Sequence, residues 1–212
     1  ISIIDNSYCS PIFQKPISFG IDIVVHSGTK YLNGHSDVVV GVLAGTTAMV
    51  RKIFASEYMT IGAIISPNDA SLVTRGLRTL ELRMKQSDES ARKVIDFLDG
   101  HPKIASIHYP FHKSFPQYEL AKKQMSGCGG LFSVMVNTDD IKKVEAFFHR
   151  LKRFLLAVSW GGHESLVLPF AAFHEEGADP THLKPWQLVR FYIGLEDPDW
   201  LIEDLREALE EL

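Results

Sequence analysis

Three short aliphatic runs fall within the first 45 positions, and each ends on a residue able to turn the chain or do chemistry. Residues 1–4 stop at Asp5, 21–25 at His26 and 38–44 at Gly45. Runs this short and this rich in isoleucine and valine fit buried strands better than helices, which need a longer periodic stretch. The following segment, 46–58, sets Met49, Val50, Ile53 and Phe54 at helical spacing with Arg51 and Lys52 between them. Strands alternating with helices predict an α/β layer.

Further along, Ser66-Pro67-Asn68-Asp69 offers a capping hydroxyl, a proline for the first helical position and an acid for the first turn. A helix is expected there. From it Leu77, Leu80, Met84, Ala91, Val94, Ile95 and Leu98 continue at helical intervals until Gly100 and Pro102, with a break expected near Ser87. Such a helix would bridge two domains. Beyond it the texture is α+β. Strands are expected at 131–136 and 188–193, an amphipathic helix at 137–151 burying Val144, Phe147, Phe148 and Leu151, and a last helix capped by Asp197-Pro198-Asp199. Leu201, Leu205, Leu209 and Leu212 line one face of that helix, and 172–186, with Gly177, Pro180 and Pro185, reads as a loop.

Composition excludes several classes. Of 212 residues 45% are hydrophobic, enough for one or two cored domains, and the net charge of −4 provides no basic field for nucleic acid. Cys9 and Cys128 have no paired metal-type spacing, so a disulfide framework and a zinc knuckle are both unexpected. No apolar run reaches the roughly 18 residues of a membrane span. We expect a cytoplasmic protein, and the opening on Ile1 without a methionine suggests a piece of a longer chain.

The chemistry gathers after the second run. In "VVHSGTKYLNGHSD", residues 24–37, Ser27, Gly28 and Thr29 form a strand-end turn whose amides and hydroxyls suit an anion, and Lys30 follows directly. Asp5 ends the neighbouring predicted strand, so a carboxylate and an amine are expected at one crevice. A pyridoxal 5'-phosphate site demands these parts: a lysine for the Schiff base, an acid for the pyridine nitrogen and hydroxyls for the phosphate. Two other readings use the same residues. His26, His35 and Asp37 are metal-type ligands, but the set is incomplete, and we assign no metal. The Gly-Thr-Lys order lacks the upstream glycine spacing and the following hydroxyl of a nucleotide phosphate loop. Taken singly, Lys30 also reads as a surface charge and Asp5 as a turn former.

Five ordered motifs carry a resemblance: "DNSYCSP" at 5–11, "DIVVHSGTKYLNGHSD" at 22–37, "RGLRTLELRM" at 75–84, "SWGGHESL" at 159–166 and "VRFYIGLED" at 189–197. Together they resemble the trans-sulfuration, or Cys/Met-metabolism, family of pyridoxal-phosphate enzymes over nearly the whole chain. The resemblance implies the aspartate-aminotransferase-like fold type I, an α/β architecture. Residues 1–76 would be the later part of the cofactor-binding large domain, and 77–212 the small α+β domain entered through a long helix. It implies Lys30 as the Schiff-base lysine, Asp5 at the pyridine nitrogen, Ser27 and Thr29 at the phosphate, and Arg190 with Ser159 at the substrate's α-carboxylate. An arginine fork suits a carboxylate through two parallel hydrogen bonds; apart from the resemblance Arg190 reads as a surface ion pair.

The implied reaction is carbon–sulfur cleavage of a sulfur amino acid, with Lys30 taking the α proton. Trp160-Gly161-Gly162 resembles the β-lyase branch, which favours β-elimination. Val158 stands where γ-lyases often carry glutamate and some β-lyases tyrosine, so it offers no partner to cystathionine's distal amino group, and "LPFAAFH" at 168–174 lacks the usual Thr-His ending. γ-Elimination, γ-replacement and a non-catalytic subunit are the alternatives. The family's glycine-containing phosphate loop, ring-stacking aromatic residue and subunit-exchanged tyrosine and arginine precede the region matched here. We therefore expect the 212 residues alone to be inactive and to hold cofactor poorly, and the whole protein to be a dimer of dimers.

Overall fold

The computed structural model describes residues 1–173 and 184–212. Strand β1 (Ile3–Asp5) leads through a short helix α1 (Ser10–Phe13) and a 3-10 turn to β2 (Ile23–Ser27) and β3 (Gly41–Gly45). β1 and β2 run parallel, with Asp5 beside Val25, and β3 returns antiparallel with Gly41 beside Ser27. Their common end therefore carries Asp5, Ser27 and the turn that follows.

Burial differs from the expectation for these strands. Ile23 and Val24 on the central strand are covered, but Ile3, on the edge strand β1, is 64% exposed and β3 is mostly open. β3 also begins three residues later than the apolar run. Val40 is used elsewhere: its amide donates to Thr29 Oγ1 at 2.9 Å and its carbonyl accepts from the Thr29 amide at 3.2 Å. Strand pairing starts only beyond that clasp.

Thr46 caps α2 (Thr47–Ile53) by accepting from the Met49 amide at 3.3 Å, and a π-helical turn, 54–58, leads into α3 (Met59–Ile61). α4 (Pro67–Leu77) starts on the Ser66 cap, as its sequence predicts. The long helix breaks at Arg78-Thr79, not near Ser87, and α5 (Leu80–Leu98) is continuous through that serine. Ser87 is harmless to the helix because its buried hydroxyl donates to the Ile193 carbonyl at 2.5 Å across the interface.

The second sheet is built from β4 (Ile104–His108), β5 (Leu131–Val136), β6 (Leu155–Leu156), β7 (Leu166–Pro169) and β8 (Leu188–Tyr192), in the order β4-β5-β8-β7-β6. Helix α6 (Tyr118–Gln124) precedes β5, α7 (Ile141–Arg150) follows it, and α8 (Pro198–Leu209) ends the chain on its Asp197 cap. β4, β6, β7, α1 and α6 were not foreseen from the sequence. Of the expected loop at 172–186, Gly177 and Pro180 lie outside the described residues, and Pro185 opens a short 3-10 turn, Pro185–Gln187.

One core fills the space between this sheet, α5, α7 and α8, with Val94, Leu98, Val134, Phe147, Val189 and Leu205 each almost fully buried. A smaller cluster joins the two sheets. It packs Cys9, Phe13, Tyr31, Leu32, Leu80, Met84, Leu166 and Tyr192 together, so the residue after Lys30 is a core residue. Phe191 lies at the centre of the larger core, stacked on Phe132 at 5.5 Å and edge-on to Phe154 at 5.4 Å. Phe191→Ala is expected to destabilise the fold by about 3–5 kcal/mol, read as a lower urea midpoint; an unchanged midpoint would contradict this packing.

Candidate active site

Lys30 sits in a turn held by its own backbone. Its amide donates to the Ser27 carbonyl at 3.1 Å, the Gly34 amide donates to the Lys30 carbonyl at 2.8 Å, and Asn33 reaches back to Gly28 at 2.9 Å. Tyr31 then plunges inward. Its ring meets Trp160 edge-on at 5.5 Å and Tyr192 at 5.9 Å, and its phenol oxygen accepts from the Gly130 amide at 2.9 Å. The buried Arg83 guanidinium donates to the Tyr31 carbonyl at 2.9 Å from α5. Burying Tyr31 leaves Lys30 facing the crevice between the two sheets.

The second sheet supplies the opposite wall. Lys30 Nζ donates to Ser159 Oγ at 2.9 Å and lies 5.6 Å from the centre of the Trp160 ring. From β8, Arg190 donates to the Val158 carbonyl and, at 3.3 Å, to the Ser159 carbonyl. Burial lowers the Lys30 pKa, and the nearby Arg190 charge lowers it further. An amine so placed loses its proton more readily than a surface lysine. Beside them a cleft of about 470 Å³ runs past Thr29, Ser159 and Trp160 between apolar walls that include Val39 and Leu155.

Asp5 and Ser27 form the other pole, linked by a residue that sequence reading passed over. Ser7 donates to Asp5 Oδ1 twice, from its hydroxyl at 2.6 Å and its amide at 2.8 Å, and its oxygen accepts from the Ser27 amide at 2.6 Å. These two Ser7 bonds hold the Asp5 carboxyl below its ordinary pKa, against partial burial. The available signal was the Asp-x-Ser spacing, a common local turn in which a carboxylate caps the backbone two residues on. Thr29 lines the cleft, yet its hydroxyl is engaged with Val40.

The metal-type residues are dispersed among other partners. His35 Nδ1 pairs with the Asn33 carbonyl at 2.7 Å, and Asp37 accepts from Asn33 at 2.8 Å and from Arg75 at 3.3 Å. His26 is buried on β2, and among the described residues no group of three or more histidine, cysteine or acidic side chains is placed to hold a metal. Cys9 and Cys128 are free and buried, with burial pushing the Cys9 thiol up to about 12. Among the described residues no helix is long and apolar enough to cross a membrane.

The sequence has relatives among known proteins along nearly its whole length. Residues 1–210 match the family model described as Cys/Met metabolism PLP-dependent enzyme. The chain belongs to that family. It is 38% identical over 214 residues to a cystathionine gamma-lyase of Bacillus subtilis, covering 99% of this chain and 56% of that protein. It is 40% identical over 212 residues to an L-methionine gamma-lyase of Pseudomonas putida, covering 98% and 53%. A cystathionine beta-lyase of Lactococcus lactis is 38% identical over 215 residues, covering 99% and 56%. Among solved structures, cystathionine gamma synthase from Xanthomonas oryzae pv. oryzae in complex with cystathionine superposes with a TM-score of 0.90 at 35% identity, covering 100% of this chain and 55% of that one. The chain thus spans about half the length of the relatives it matches.

The family cofactor is pyridoxal phosphate, and the residues present fit it. Lys30 offers an amine of lowered pKa, Asp5 an oxygen held as an anion, and Ser27 a hydroxyl at the same strand end.

Two expected outcomes follow from this geometry. Gly161 has φ +85°, and a Cβ there would lie 2.8 Å from the Tyr31 amide nitrogen and 3.0 Å from the Lys30 Cα. Gly161→Ala should cost about 1–2 kcal/mol for the left-handed backbone alone and loosen the Lys30 seat, seen as a lower urea midpoint together with faster labelling of Lys30. In Arg190→Met the loss of a neighbouring positive charge should raise the Lys30 pKa. Amine labelling of Lys30, followed by peptide mass, should then shift to higher pH; an unmoved profile would remove Arg190 from the electrostatics of the lysine.

Proposed function

We propose that the protein carrying this chain is a pyridoxal-phosphate-dependent carbon–sulfur lyase of sulfur amino acids, performing a β-elimination like that of cystathionine β-lyase. The observation that carries the reading is Lys30 Nζ, held 2.9 Å from Ser159 Oγ beside Arg190, with Asp5 at the same strand-end crevice. Pyridoxal phosphate, when bound, supplies an electron-poor ring that takes up the charge left at the substrate's α carbon.

The chain's own residues have the remaining tasks. Asp5, kept ionised by Ser7, would partner the ring nitrogen, and Ser27 and Thr29 would hold the phosphate. Arg190 receives the α-carboxylate on its planar fork, with Ser159 beside it. Lys30 has the lowered pKa of a base and would take the α proton at Nζ. Ser159 Oγ, already within hydrogen-bond reach, steadies that amine between steps. Trp160 covers the amine with an aromatic ring and limits water around it.

In this reading residues 1–76 complete a fold type I cofactor domain whose remaining part comes from elsewhere in the protein, and 77–212 form the small domain. Apolar side chains left open on β1, β3 and the α2–α3 segment, among them Ile3, Leu43, Phe54, Met59 and Ile61, fit a surface that the rest of that domain covers; the homo-oligomer is proposed from the family resemblance. The β assignment leans on Trp160-Gly161-Gly162; Val158, an apolar residue 67% exposed, departs from both branches and supports neither. A γ-elimination or γ-replacement is the second reading, favoured by the names of several relatives.

Lys30→Ala in the full-length protein should abolish the visible absorption of bound cofactor and all turnover. Normal activity in that variant would end the proposal. With cystathionine as substrate the expected keto acid is pyruvate; 2-oxobutyrate as the main product would move the assignment to the γ reaction. The 212 residues alone should bind pyridoxal phosphate poorly, and tight stoichiometric uptake by equilibrium dialysis would refute that division of labour.

A further inference from the structure

We propose that Ser7 is a positioning residue whose hydroxyl holds Asp5 in place as the partner of the cofactor's ring nitrogen and fixes its distance from Ser27. The inference rests on the pyridoxal-phosphate reading above and adds to it a residue outside the expected set.

A hydroxyl has one proton to give and two lone pairs to receive. The Ser27 amide can only donate, and it donates to Ser7 Oγ at 2.6 Å. The serine's own proton therefore points to Asp5 Oδ1, 2.6 Å away, where the Ser7 amide also arrives at 2.8 Å. Two donors on one carboxylate oxygen favour the ionised form and stop the group from rotating, which leaves Oδ2 as the oxygen available to a ring N–H. Ser7 is 8% exposed, so water has little access to replace a missing hydroxyl.

The same hydroxyl couples the two ends of the site. Asp5 closes β1, Ser27 closes β2, and the Ser27 carbonyl accepts from the Lys30 amide at 3.1 Å. Asp5, Ser7, Ser27 and Lys30 form one hydrogen-bonded relay from the acid to the lysine. Backbone pairing sets the strands side by side, and among the described residues Ser7 ties the acid's side chain to the phosphate end. The titratable group that faces Asp5 from the neighbouring strand is His26, whose pKa burial lowers, so its own titration falls on the acid side of the range. Lys30 and Arg190, with Asp37 and Glu164 on the wall of the adjoining cleft, are further charged groups around the crevice.

The test uses full-length protein loaded with pyridoxal phosphate, comparing wild type, Ser7→Ala and Ser7→Thr. A less firmly ionised Asp5 leaves the ring less electron-poor and the lysine nitrogen linked to it more basic. The pH midpoint of the cofactor's visible band should therefore rise by about one unit in Ser7→Ala, and cofactor affinity should fall about tenfold. Ser7→Thr, which keeps the hydroxyl, should restore both. A purely structural serine would lower stability without moving the midpoint. A Ser7→Ala protein that titrates and binds cofactor like wild type overturns the inference. If that variant does not fold, Ser7→Cys, similar in size with a weaker donor, is judged by the same criterion. Failure of the parent reading is separately visible, since wild type would then take up no pyridoxal phosphate or Lys30→Ala would keep its visible band.

Discussion

The burial of Tyr31 is the constraint on which the rest of the site depends. A lysine at a strand end has many rotamers and ordinarily spends them in water. Here the next residue is 2% exposed, wedged among Trp160, Tyr192 and the Gly130 amide, and it carries the Lys30 backbone with it. Gly161 fits against that backbone because it has no side chain, and Arg83 holds the Tyr31 carbonyl from the other side. The amine's position is thus set by core packing, which resists displacement far more than surface hydrogen bonds do.

That packing reaches into the second sheet through α5. Asp88, buried on this helix, accepts from the Cys128 amide at 2.8 Å, the Gly129 amide at 3.0 Å, the Tyr109 hydroxyl at 3.0 Å and Arg92 Nε at 2.7 Å. A carboxylate with this many donors is fully satisfied, and losing any partner would leave charge in a low-dielectric setting. The loop it holds, 128–130, is the one that donates to Tyr31. Ser87, one residue earlier, fastens the same helix to Ile193 at the end of β8, three residues after Arg190. Lysine and arginine therefore come from different sheets yet share a single rigid support.

Sequence reading found what is local and missed what is remote. The caps at Ser66 and Asp197, and the strand at 131–136, are written in neighbouring residues, and each forms where its signal lies. The long helix breaks at Thr79 instead of Ser87 because a serine's tendency to interrupt a helix is cancelled by a carbonyl more than a hundred positions away. β6 and β7 were missed for a related reason. Leu155-Leu156 is too short to show a period, and Leu166–Pro169 is buried throughout, so neither alternates. At the site, Lys30, Asp5 and Ser27 were legible because turn chemistry follows a strand. Arg190, Ser159 and Trp160 came only through likeness to a family, since nothing in their spacing says that they meet Lys30. Ser7 was legible in principle, two residues from an acid already singled out.

The charges of the crevice are arranged as opposites, and this bears on which reaction it suits. Lys30 and Arg190 lie together, each desolvated, and the first is pushed toward neutrality by the second. Asp5 is pushed the other way, toward its anion, by Ser7. An amine tuned to accept a proton and an acid tuned to stay ionised are what α-proton removal requires, and they serve β- and γ-elimination equally. Discrimination between the two must come later in the sequence of steps, from groups that reach the β and γ carbons. The residues at the crevice margin, Val158 and Leu155, are apolar and open; they offer no proton donor or acceptor to a departing sulfur. Among the described residues the ionisable side chains around the crevice include Asp37 and Glu164, which line the cleft, as well as Lys30 and Arg190; in the proposed reading Lys30, with its lowered pKa, is suited both to take a proton and to return one.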